Sequence, residues 1–257
     1  KMVDWNPLLR FIFVKVQTPH VKQELFSGVT TLRTVGGISD IDGVMKKKIN
    51  KGKVIGPRLL VANTGVSVPD GHFAGVLATE AKSPKMARKH VRKIMKTKPD
   101  LVKLMITGGV MDAEVVGEPG ILKMPPEIVK AACDEAHKYG MMVAAHVESP
   151  EGVRVALENG VDSIEHGAKP DAEILRLFKE RGAVDICTIS PAAPYCLFPE
   201  EIRYISRKSL TVFPAMDASI SSSSLPGFAV RRIIFRRSFP ERRSLRQEAY
   251  QGTCRKG

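Results

Sequence analysis

Residues 141–167 read MMVAAHVESPEGVRVALENGVDSIEHG, and the alternation inside this stretch decides the fold. A small-apolar run (MMVAAH, 141–146) gives way to an amphipathic segment over 150–159, and a second short run (VDSIE, 161–165) follows Gly160. Pro150 suits the first turn of a helix, where a missing N–H leaves no bond unmade, and Gly160 suits its stop. Strand, helix and strand joined by short connections form a βα repeat, which places the two strands parallel in one sheet.

The same alternation extends outward over residues 29–190. Strands are expected near 29–35, 57–62, 100–106, 141–146, 161–165 and 183–189, with helices near 19–27, 39–51, 79–97, 126–139, 150–159 and 171–181. Pro125 and Pro126 open the helix that ends at Gly140. Parallel strands joined by helices either stay an open doubly wound sheet or close into a barrel. No GxGxxG follows a first strand, so the open dinucleotide-binding sheet loses its main support. The expected fold is therefore an α/β, TIM-like (β/α)8 barrel over residues 1–202, incomplete, with six βα units visible. Residues 1–18 fit a helix or a strand equally well.

After Glu201 the alternation ends in a serine run (221–224) and in FAVRRIIFRRSFPERRSLRQ, where arginine pairs interrupt each apolar run. The formal net charge of +13 concentrates there. Residues 203–257 hold 12 Lys/Arg against 3 Asp/Glu, which is +9 and leaves +4 for the first 202 residues. A basic tail of this kind supports nonspecific electrostatic contact with nucleic acid or an acidic partner, but no nucleic-acid-binding motif accompanies it, so specific nucleic-acid binding is not expected. There is no run of about 18 apolar residues and no signal-peptide pattern, so a cytoplasmic protein without membrane contact is expected. The cysteines at 133, 187, 196 and 254 lack CxxC spacing and suggest reduced, mostly buried thiols.

In a barrel the chemistry sits at the C-terminal ends of the strands. His146 ends one strand, His166 follows the next, and Lys103 lies inside DLVKLMI. A strand-end histidine can simply bond a loop carbonyl, yet two in consecutive βα units project into one mouth, as neighbouring metal ligands must. A lysine among Val102, Leu104 and Met105 costs several kcal/mol unless its charge is matched or removed. It is either paired with a carboxylate such as Glu165, or modified by carbon dioxide to an anionic carbamate that can bind metal. Gly108 and Gly109, in ITGGV, fit either a backbone that closely approaches the pocket or an ordinary tight turn. Glu165 suits either a carboxylate orienting a neighbouring group or a structural ion pair.

FSGVTTLRTVGG (26–37), GPRLLVANTGVSVPDGHFAG (56–75), DLVKLMITGGV (100–110), CDEAHKYGMMVAAHVESPEGVRVALENGVDSIEHG (133–167) and ICTISPAAPY (186–195) together resemble the amidohydrolase superfamily, closest to its imidazolonepropionase-like and prolidase-like metal-dependent hydrolases. The resemblance covers about residues 20–200. It implies a (β/α)8 barrel holding one or two divalent metal ions, usually zinc, and hydrolysis of an amide, dipeptide or cyclic amide C–N bond. By motif, Lys103 matches the carboxylated lysine, and His146 and His166 match metal ligands after successive strands. His72, in PDGHFAG, matches a histidine on the substrate side, and Gly108 and Gly109 border the substrate.

Two family elements are missing from the sequence. No His-x-His pair occurs, and no aspartate stands in a Gly-Thr-Asp setting after IEHG, where only Asp171, Asp185 and Asp217 occur. The expectation is a chain that starts after the first barrel strand and leaves the family pattern near residue 200, as a truncated or frameshifted gene would. Metal is then expected to be held weakly or not at all, with little turnover. Open sheet edges make homo-oligomerisation plausible.

Overall fold

The computed structural model describes residues 7–113 and 119–188, all within one compact unit. The expected boundary at 202/203, the basic tail, Cys196 and Cys254 lie outside the described residues.

The order of elements is α1 (Pro7–Phe26), β1 (Thr31–Thr34), α2 (Ile41–Asn50), β2 (Arg58–Val61), β3 (Gly65–Ser67), β4 (Ala78–Glu80), α3 (Pro84–Met95), β5 (Leu101–Met105), α4 (Pro126–His137), β6 (Met142–Val147), α5 (Pro150–Glu158), β7 (Ser163–His166), α6 (Ala172–Arg181) and β8 (Val184–Ile186). All of the strand pairings are parallel: β1 joins β2, and the second sheet runs β4-β3-β5-β6-β7-β8. β2 and β3 are two halves of one barrel strand, bent at Asn63, whose φ is +58°.

Local signals explain the helix boundaries. Ser83 and Ser149 accept bonds from the backbone N–H groups of Met86 and Gly152, with Pro84 and Pro150 behind them. Asp171 caps α6 through the N–H of Ile174 at 2.9 Å. These caps satisfy donors that the first helical turn leaves open. Gly140 and Gly160 stand past the ends of α4 and α5 with φ of +68° and +96°, a region that only glycine occupies cheaply.

Two strand starts share one device. Asp100 donates its N–H to the Val61 carbonyl at 2.8 Å, while its carboxylate accepts the Val61 N–H at 2.7 Å. Asp162 repeats the arrangement with Val143, at 2.9 and 2.7 Å. Each aspartate locks the register of one strand against the strand before it, and Asp100 thereby stitches β2 to β5 across the break between the two sheets.

The outward-facing residues Val102, Leu104, Val143, Ala145 and Ile164 join α3–α6 in the main hydrophobic core. Inside the curve, Ala62, Leu101 and Ala144 form a small second core with Val35 against them. Curvature is fixed by a link between distant strands: Arg33 on β1 reaches Glu165 on β7 with Nη2 to Oε1 at 2.7 Å. Since β2/β3, β5 and β6 intervene, a flat sheet could not make this contact. The six expected barrel strands are thus present, as an arc of the (β/α) barrel.

Four details differ from the sequence-based expectation. The helix expected at 19–27 runs from Pro7, passing through Pro19, with the Thr18 hydroxyl donating to the Val14 carbonyl at 2.8 Å. The first residues of the helix expected at 79–97 instead form β4 beside β3, because the Ser83–Pro84 cap starts the helix later. The strand at 57–62 continues past a bend as β3. Finally, Cys187 is exposed, whereas Cys133 is buried and its thiol is pushed up by that burial. No helix among the described residues is long and apolar enough to cross a membrane.

Candidate metal centre

Lys103 is the floor of the site. It points inward from β5, only 2% exposed, and its stem runs past Gly36 and Gly65, where an added Cβ would come within 3.8 and 3.5 Å of Cγ. Burial is the main cause that lowers its amine to about 7; Glu165 opposes that fall and Arg33 adds to it. Of the two sequence-based alternatives for Lys103, the carboxylate is indeed nearby. Its hydrogen bonds, however, run to Arg33 and to Ser163, whose hydroxyl donates to Oε1 at 2.7 Å.

His146 and His166 stand above this floor at the ends of β6 and β7. Their ring centroids are 4.8 Å apart and meet edge to face. His146 is buried, and its Nε2–H donates to the Gly108 carbonyl at 3.3 Å, which leaves the lone pair on Nδ1. Desolvation, reinforced by His72, Lys103 and His166, lowers His146 to about 2. His166 is lowered to about 4, mostly by burial and then by Lys103. Both rings are therefore neutral at physiological pH, the state in which imidazole binds metal.

The backbone of His166 is unusual. Its φ is +74°, and Gly167 follows at +77°, so β7 ends in two successive left-handed residues. For a residue with a side chain this conformation costs about 1–2 kcal/mol, and such strain collects at functional sites. Thr188 hydrogen-bonds Nδ1 of His166 and fixes its ring.

Glu148 completes the cluster. One ligand atom each from His146, Glu148 and His166 lie within 4.8 Å of one another, a metal-capable group among the described residues. Two neutral imidazoles and a carboxylate match the donors that zinc and similar divalent ions take.

His72 and Gly109 form the wall of the site. The His72 ring stacks on His146, with centroids 4.1 Å apart and planes 21° apart. A Cβ on Gly109 would stand 2.3 Å from Cε1 of His72, so this position must be glycine for the ring to sit there. His72, Phe73, Gly108, Gly109 and Lys123 line one cleft. All six residues singled out from the sequence, Lys103, His146, His166, His72, Gly108 and Gly109, are thus brought together.

Sequence reasoning missed two residues. Glu148 is two positions beyond His146, and the His-x-Glu spacing at a strand end was a usable signal. Arg33 is a cation within TTLRTV, open to the same argument that singles out Lys103.

The amidohydrolase family model matches residues 16–223, well over half of the chain. The chain belongs to the amidohydrolase family. It is 27% identical over 192 residues to ochratoxinase from Aspergillus niger, covering 65% of this chain and 39% of the relative. A crystal structure of a Xaa-Pro dipeptidase with bound methionine superposes with a TM-score of 0.70 at 29% identity, covering 80% of this chain and 54% of that one. A putative prolidase from Bifidobacterium longum matches at 33% identity and TM-score 0.68, covering 80% and 52%. The amidohydrolase chain thus spans about half, or less, of the length of these relatives.

Proposed function

We propose that this chain carries part of the active site of a metal-dependent hydrolase that cleaves a C–N bond in a small amide or dipeptide. The observation that carries the reading is the convergence of His146, Glu148 and His166 within 4.8 Å above a buried, charge-depleted Lys103. The relatives named for ochratoxinase and Xaa-Pro dipeptidase support this bond class, with an Xaa-Pro dipeptide as the first substrate to try.

A divalent ion, with zinc the first candidate, would supply Lewis-acid activation of water and of the scissile carbonyl. His146 and His166 would hold it through neutral nitrogens, with Glu148 offering a carboxylate oxygen. Lys103 would join them as a carbamate. An amine lowered to about 7 is substantially uncharged near neutral pH and so has the lone pair that carbon dioxide requires. In the buried layer, Arg33 and Glu165 already cancel each other, so an uncharged lysine suits the metal-free site and an anionic one suits a site holding cations. His72 and Gly109 would bound the substrate, and the cleft they share with Phe73 and Lys123 would receive it.

The test is zinc binding by the purified 257-residue chain, followed by calorimetry and metal analysis, beside hydrolysis of Xaa-Pro and N-acyl amino acid substrates. Zinc uptake is expected to be weak, with slow turnover, and His146→Asn or His166→Asn should each lower zinc affinity by at least about 10–100-fold, the loss that removing even a partner which only orients a ligand brings. Zinc affinity indifferent to both substitutions would overturn the assignment.

A further inference from the structure

We infer that Thr107 is a positioning residue for the metal centre: its hydroxyl replaces a missing rung of the sheet at Glu148 and so holds that carboxylate on the same side as His146. The inference rests on the reading of His146, Glu148 and His166 as metal ligands.

His146 and Glu148 are two residues apart, so their side chains share a face only while the backbone between them stays extended. Val147, between them, is fully buried in the main hydrophobic core. Toward β7 the extended path is secured by the Gly167 N–H, which donates to the Val147 carbonyl at 3.0 Å. Toward β5 the ladder breaks one step earlier. The Ile106 N–H donates to the His146 carbonyl at 3.1 Å, and in a parallel ladder the next bond would run from the Glu148 N–H to the Ile106 carbonyl. That carbonyl is already taken by the N–H groups of Lys123 and Met124, both at 2.9 Å. The Gly108 N–H, which the same ladder would send to the Glu148 carbonyl, donates to the Ile121 carbonyl at 2.9 Å instead.

Thr107 restores the lost bond. Its Oγ1 accepts the Glu148 N–H at 3.1 Å, and the residue is fully buried. Two glycines make room for this contact. A Cβ on Gly152, in the first turn of α5, would stand 2.5 Å from Cγ2 of Thr107, so the threonine methyl has its seat only because that side chain is missing. A Cβ on Gly120 would stand 2.8 Å from the Glu148 carbonyl oxygen, which lets the chain after β5 close over that residue from the other side. The same chain accepts the His146 Nε2–H through the Gly108 carbonyl. One loop thus orients two of the three candidate ligands, and the Thr107 hydroxyl is the part of its hold that a single side chain supplies.

The experiment uses the full 257-residue chain. Hydrogen exchange followed by NMR reads the Glu148 amide without metal, and calorimetric titration with zinc chloride reads affinity. The wild-type amide is expected to be protected. Thr107→Val keeps the shape and removes the acceptor: exchange at Glu148 should quicken about tenfold, the worth of one hydrogen bond, and zinc affinity should fall about tenfold, as when a partner that orients a ligand is lost. Thr107→Ser keeps the hydroxyl and should leave both at the wild-type level. In a Glu148→Gln background, Thr107→Val should cost no further affinity, because the group through which it acts is already gone; a merely structural role predicts the same loss in both backgrounds. Equal losses in the two backgrounds, or zinc affinity that Glu148→Gln weakens and Thr107→Val does not, overturn the positioning role alone. An unprotected Glu148 amide in the wild type overturns it without any variant, so the inference stays refutable where Thr107→Val does not fold. Zinc affinity indifferent to Glu148→Gln overturns the ligand reading beneath it.

Discussion

Gly109 is the residue at which the site is most sharply constrained. Its φ is ordinary, so the reason for glycine there is space: the His72 ring lies where a side chain would begin, 2.3 Å from a Cβ. Gly109→Ala must push His72 off its stack with His146. The expected result is at least a tenfold loss of whatever hydrolysis the chain supports, with an unchanged far-UV circular dichroism spectrum, because Gly109 lies in the loop after β5, outside every α-helix and strand. An alanine variant with wild-type turnover would show that His72 is idle in its present place. Lys103 shows the reverse relation between sequence and site. An amine in an apolar strand announces a special environment from sequence alone, whereas Arg33, equally anomalous in TTLRTV, becomes intelligible only when β7 is seen opposite it.

At the scale of elements, the repeated aspartate device explains why the strands hold register although most are only three to five residues long. Asp100 serves β2 and β5 together, and Lys46 seats its ammonium 2.5 and 2.6 Å from the two carboxylate oxygens. Asp100→Ala would leave the N–H of the fully buried Val61 without its acceptor, which costs about 2 kcal/mol. Urea unfolding should report that loss as a shifted midpoint with an unchanged slope; a loss near zero would mean that water replaces the carboxylate. Most helices were legible because Ser-Pro caps and glycine stops are local signals. The start of α1 was not legible, because residues 1–18 fit a helix or a strand equally well, and the helix runs from Pro7 through Pro19. β4 was hidden because three residues pairing with β3 leave no periodic trace.

For the whole molecule, the buried basic groups predict how stability depends on pH in the metal-free chain. His166 and His146 fall to about 4 and about 2 from an unfolded value near 6.5, so the unfolded chain binds protons first as pH drops. Their contribution is intact above about pH 6.5 and is lost progressively toward pH 4 and below, with His166 supplying on the order of 2 kcal/mol once its partial exposure screens it. Lys103, lowered to about 7 from 10.5, adds a second slope: stability rises with pH between those two values. Denaturant unfolding at several pH values should show both slopes, and His166→Gln should flatten the acid one; an unflattened slope would assign it to carboxylates elsewhere. Sequence by itself determined the βα alternation, the parallel sheet, the helix caps and the candidate ligands at strand ends, because periodicity, capping and the cost of a buried lysine are all local properties. Only the tertiary structure decided which cation binds Glu165, that Glu148 joins the two histidines, and that Gly109 makes room for His72. Each of these depends on distances between strands far apart in the chain, and it is the curvature of the barrel that sets those distances.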